Sequence, residues 1–118
     1  MEKMAKDKLH IENKNEHLWI TLPDSINMDN YLQIRNRIES KLTDKENKVV
    51  VDLSNNEIIN SLLIGLILHS RRIVKQNSGF FYLVNVSENC IIKFQALFLD
   101  KIVQIYENES EFIADTNN

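Results

Sequence analysis

Hydrophobic and polar positions along this chain switch between the period of a strand and the period of a helix. Leu9-His10-Ile11-Glu12 alternates apolar with polar, as a short edge strand does. His17-Leu18-Trp19-Ile20-Thr21-Leu22 predicts a second strand, hairpinned to the first across the turn Asn13-Lys14-Asn15-Glu16 and closed by Pro23 and Asp24. Tyr31, Ile34, Ile38 and Leu42 then share one face of a helix, with Asn27 as its cap and Arg35, Arg37, Glu39 and Lys41 on the other side. Asp44 to Lys48 is a charged connection. Val49, Val50, Val51 and Leu53, interrupted by Asp52, read as a buried strand, and Ser54, Asn55, Asn56 and Glu57 as a polar loop. The next helix is expected from Asn60 or Ser61 to Gln76, ended at Asn77-Ser78-Gly79 with Gly79 in a left-handed terminating position.

Phe80-Phe81-Tyr82-Leu83-Val84 predicts another strand. Ser87 caps a helix through about Phe98, with Ile91, Phe94, Gln95 and Phe98 along one side. Asp100 and Lys101 turn the chain into a last short strand, Ile102 to Tyr106, and Glu107 to Ala114 forms a final short helix. The order β-β-α-β-α-β-α-β-α implies a single α/β domain over residues 9–115. Its sheet has four or five strands, mostly parallel, with an N-terminal hairpin and about four helices packed on it. Residues 1–8 are charged and expected to be mobile, and 116–118 form a tail. Trp19 and the phenylalanines are expected in the core.

Composition removes several function classes. The net charge of −3 offers no basic footprint for nucleic acid. Lys3, Lys6, Lys8 and Lys14 are interleaved with Glu2, Asp7, Glu12 and Glu16, which reads as a solvated face. The single cysteine, Cys90, excludes an intrachain disulfide and a cysteine-based zinc site, and points to a cytoplasmic setting. Cys90 reads as a small packing residue. His10, His17 and His69 lack metal-ligand spacing, so no metal and no cofactor are expected. The only glycines are Gly65 and Gly79, too few for a phosphate-cradling loop. The apolar run Leu62 to Leu68 falls short of the roughly 20 residues that span a bilayer. No catalytic constellation emerges, and no enzyme is expected.

What remains is one hydroxyl. Ser61 stands where a helix begins, beside unpaired backbone N–H groups and the positive end of the helix dipole, a place that tolerates a phosphate. From the residues alone Ser61 reads first as a helix cap, and the two roles are compatible. Leu62 and Leu63 follow directly, and consecutive apolar residues cannot all face inward. They form either a partner surface beside the serine or a first turn covered by a neighbouring loop. Arg71 and Arg72 fall on the solvated side of this helix.

Three stretches together resemble the STAS domain, and in particular the bacterial anti-sigma factor antagonists. They are Val49-Val50-Val51-Asp52-Leu53-Ser54, then Ile58-Ile59-Asn60-Ser61 with Gly65-Leu66, and then Leu99-Asp100-Lys101-Ile102 with Ile105-Tyr106. The resemblance implies that Ser61 is phosphorylated by a partner serine kinase that is also the anti-sigma factor. It implies that the unmodified form binds this partner and that a PP2C-type phosphatase resets the switch. It places partner contacts on the loop at Asn56 and Glu57, and Asn60, Leu62 and Leu63 beside the serine complete the expected partner surface. The flanks depart from the family's usual motif, which has aspartate at the position of Asn60, a small polar residue at Leu62 and glycine at Leu63. Those departures support an alternative, a STAS scaffold that binds a partner without phosphorylation. A small-ligand-binding domain is a further alternative.

Overall fold

The computed structural model describes residues 5–42 and 47–117. The expected mobility of residues 1–4, the connection at 44–46 and the last residue of the tail lie outside the described residues. The strands are β1 (His10–Lys14), β2 (His17–Thr21), β3 (Lys48–Asp52), β4 (Phe80–Val84) and β5 (Gln104–Ile105). The helices are α1 (Tyr31–Lys41), α2 (Ser61–Gln76), α3 (Glu88–Ala96) and α4 (Glu109–Thr116). The sheet order is β1-β2-β3-β4-β5, with β1 antiparallel to β2 and the other neighbours parallel.

The alternation of β2, β3 and β4 separates two cores. Leu18, Ile20, Val49, Val51, Phe81 and Leu83 face α1, α2 and α3. Trp19, Val50 and Val84 point to the opposite face, where Phe112 of α4 covers them. Trp19 and Phe112 meet edge-on at 5.7 Å, and Tyr106 meets Phe112 at 5.5 Å. Tyr106 donates its hydroxyl to Asp115. Burial first, and that carboxylate second, push the Tyr106 pKa above its ordinary value.

Several local expectations are corrected. The hairpin turn is only Asn15 and Glu16, both at positive φ (53° and 66°), so Lys14 pairs with His17 as strand. Asn27 does not cap α1: its side chain accepts from the backbone N–H of Asp29 and Asn30 and builds the turn that leads into the helix. The left-handed residue after α2 is Ser78 (φ 57°), not Gly79. Gly79 is needed for room, because a Cβ there would lie 2.5 Å from the Asn47 carbonyl oxygen. α3 stops at Ala96, since Phe98 turns left-handed (φ 60°) and a 3-10 turn follows at Leu99–Lys101. Phe98 and Phe80 are 72% and 52% exposed and leave the core to the other phenylalanines among the described residues. Gln95 is also exposed, so the inward side of α3 is Cys90, Phe94 and part of Ile91. The last strand keeps only Gln104–Ile105. Arg71 is half-buried and donates to the Ile102 carbonyl at 3.0 Å.

α1 and α2 are joined by a polar bridge. His69 donates to the Glu39 carboxylate, Arg35 donates to it at 3.3 Å, and Arg72 donates to the other His69 nitrogen at 2.9 Å. The His69 hydrogen bond, helped by Arg35 and opposed by burial, holds the Glu39 carboxyl below its ordinary value of 4.5. A depressed carboxylate adds stability above its unfolded pKa and loses it as pH falls through its folded pKa. Glu39→Gln is therefore expected to be less stable than the wild type near neutral pH. That difference should shrink as pH falls below 4.5 and vanish once Glu39 is protonated in the folded chain. Urea midpoints at the two pH values check this, and a pH-independent difference would count against it.

Candidate functional site

The C-terminal ends of β2, β3 and β4 lie along one edge of the sheet, and α1, α2 and α3 start from that edge. The segment before α1, the loop Leu53 to Asn60 and the start of α3 are thus brought together. In a parallel sheet this is the edge where binding sites are usually built.

The loop begins on Asp52, whose role the sequence leaves undefined. Its carboxylate is buried and accepts from Trp19 Nε1 at 2.8 Å, from the Ser54 N–H at 2.8 Å and from Asn85 Nδ2 at 3.1 Å. Three asparagines then bind the loop to the segment before α1. Asn55 donates to the Leu22 carbonyl at 3.3 Å, Asn56 to Pro23 at 2.8 Å and Asn60 to Ile26 at 2.8 Å. From the other side, Cys90 Sγ approaches the Asn56 and Glu57 carbonyls at 3.4 and 3.5 Å, and Lys93 Nζ donates to the Ile59 carbonyl at 2.7 Å. A loop without secondary structure is therefore held on two flanks.

Asn60 is the cap of α2: its Oδ1 accepts from the Leu63 N–H at 2.9 Å. Ser61 is then the first helical residue, and it is exposed. The capping role read for Ser61 falls to its neighbour, which leaves the hydroxyl uncommitted to the cap. One turn on, the Tyr31 hydroxyl lies 3.8 Å from where a Cβ at Gly65 would stand, an ordinary contact distance.

The residues expected to meet a partner divide. Glu57 is exposed and Leu62 is half-buried. Asn60 is exposed, but both ends of its amide are engaged by Leu63 and Ile26. Asn56 and Leu63 are corrections, being only 3% and 2% exposed. Asn56 faces the Pro23 carbonyl and Leu63 faces the core, so both shape the site from beneath. Two apolar residues not singled out as contacts are exposed instead. Ile58 is 84% exposed in the loop, and Met28 is 82% exposed in the segment leading to α1. The available signal was the pair Ile58-Ile59 in a polar loop, of which only Ile59 turns inward. Among the described residues no group of three His, Cys, Asp or Glu side chains could hold a metal. No described helix is long and apolar enough to cross a membrane.

The STAS domain family model matches residues 8–112, and the chain belongs to that family. A protein of Thermotoga neapolitana named as an anti-sigma factor antagonist homolog is 35% identical over 69 residues, 58% of this chain and 61% of that protein. The chain thus spans less than two thirds of that relative's length. Among solved structures, an anti-sigma-factor antagonist STAS domain protein from Planctomyces limnophilus is similar with a TM-score of 0.80 and 19% identity. That similarity covers 93% of this chain and 98% of the other. The Bacillus cell fate determinant SpoIIAA in its phosphorylated form is similar with a TM-score of 0.69 and 21% identity, over 92% and 99% of the two chains. At those identities the structural likeness establishes the five-stranded fold with its N-terminal hairpin.

Proposed function

We propose that this chain is an anti-sigma factor antagonist that works by binding, and that phosphorylation of Ser61 toggles the binding. The partner is a cytoplasmic serine kinase that is also the anti-sigma factor, and a PP2C-type phosphatase restores the unmodified form. The observation that carries this reading is the exposed Ser61 at the first position of α2, beside a loop held on both flanks. The name of the phosphorylated Bacillus neighbour supports it. A phosphate adds about −1.5 to −2 charges at that point. At a helix start this charge leaves the fold intact and acts on the surface that a partner meets.

Incubation with the candidate kinase and ATP is expected to add about 80 Da, one phosphate, to the wild type and nothing to Ser61→Ala. The modified chain should bind the kinase at least about tenfold more weakly, a loss of about 1.4 kcal/mol or more. Ser61→Ala should bind as the unmodified wild type does. A kinase that binds the chain and leaves its mass unchanged would overturn the toggle. Such a result would favour the scaffold reading to which Asn60, Leu62 and Leu63 point.

A further inference from the structure

We propose that Lys93 takes hold of the phosphate on Ser61 and, in doing so, releases the loop. This inference rests on the reading of Ser61 as the modified residue. Lys93 belongs to α3, a different element from the serine, and its ammonium donates to the Ile59 carbonyl at 2.7 Å. α3 is set in place over the loop. Ser87 accepts from the Cys90 N–H at 3.3 Å, and the buried Cys90 thiol faces the Asn56 and Glu57 carbonyls. Only Asn60 separates Ile59 from Ser61, so their Cα atoms are at most about 7 Å apart. Among the described residues Lys93 forms no ion pair with a carboxylate. Its long stem and exposed position let the ammonium swing between acceptors.

The exchange follows from acceptor strength. The Ile59 carbonyl is neutral, whereas a phosphoserine is close to a dianion at neutral pH. Both bonds have the same ionised donor, and only the phosphate adds an opposite charge that attracts it. A phosphate on Ser61 therefore draws the ammonium from Ile59. The phosphate becomes held over the first turn of α2, and the loop beside Ile58 loses its connection to α3. Modification then acts on a partner through loop order as well as through charge and bulk. Lys93 is a positioning residue in this scheme.

The test uses the full chain with phosphoserine inserted at position 61 during translation through a reassigned codon, so that no kinase is involved. The phosphorus resonance is titrated from about pH 4 to about pH 9, across the phosphate's second pKa near 6. In the wild-type background the midpoint is expected to lie about 0.5 unit below that of Lys93→Met, and Lys93→Arg should restore it. Amide exchange at Asn56, whose N–H donates to the Leu53 carbonyl within the loop, should be faster in the phosphorylated chain than in the unmodified one. Circular dichroism establishes that each variant is folded, and Lys93→Gln replaces Lys93→Met if the latter is not. Equal midpoints in the wild-type and charge-free backgrounds would overturn the proposal and leave the Ser61 toggle standing. A kinase that fails to modify Ser61 would remove the toggle and leave this titration unaffected.

Discussion

Replacing Asp52 with alanine is expected to lower the unfolding free energy by about 4 kcal/mol, because three donors lose one acceptor. Trp19 is 1% exposed and donates its indole N–H to Asp52 at 2.8 Å. No water takes over that bond without opening the face covered by α4. The Ser54 N–H and the Asn85 amide also donate to the carboxylate, but they stand nearer the sheet edge and recover part of their loss from solvent. Each buried orphan donor costs about 1 to 3 kcal/mol, and partial rehydration keeps the total below a simple sum. Trp19 is the chain's single tryptophan, so urea unfolding followed by its fluorescence reads both the stability and the environment of the bond. Asp52→Asn keeps the shape and one acceptor oxygen, and should lose less. A loss under about 1 kcal/mol in Asp52→Ala would show that the carboxylate is not what joins β2, the loop and the end of β4.

Local patterning made much of this fold legible. β4 runs from Phe80 to Val84 and α2 from Ser61 to Gln76, as read, because each is bounded by chemistry within a few residues. Asn60 accepts from Leu63, and the chain after α2 turns left-handed within the expected Asn77-Ser78-Gly79 segment. Which residue of that segment takes the left-handed conformation was not legible. It depends on Gly79 passing close to Asn47, a residue distant in sequence. The same limit governed the site. Asn56 is polar and lies in a loop expected to meet a partner, yet its acceptor is the carbonyl of Pro23, which lies on another segment. Leu62 and Leu63 share one composition and adjacent places, and only the packing of α2 on the sheet assigns Leu63 to the interior. Asp52 and Trp19 sit on neighbouring strands whose register has no local signature. Ser61 was legible because a helix start is defined by its own few residues.

The most discriminating result expected at the partner surface is a loss of about 100-fold in affinity for the kinase in Ile58→Asp, equivalent to about 2.7 kcal/mol. The melting temperature should remain close to that of the wild type. The side chain is 84% exposed, so its removal takes nothing from the core. Its backbone lies in a loop already ordered by Asn55, Asn56 and Lys93, so a partner that covers Ile58 has little further ordering to supply. An apolar anchor in a rigid setting is the arrangement in which one side chain carries a large share of binding energy. An aspartate there would bury an unpaired charge in the complex. The control is a second exposed apolar group, Leu97, Phe98 and Ile102, beyond the far end of α3 from the edge where α2 and α3 begin. Phe98→Asp should leave kinase affinity unchanged, as isothermal titration of both variants can determine. If Phe98→Asp abolished binding and Ile58→Asp did not, the partner would dock away from Ser61. The phosphate would then have to act at a distance, and direct obstruction of the interface would no longer explain the toggle.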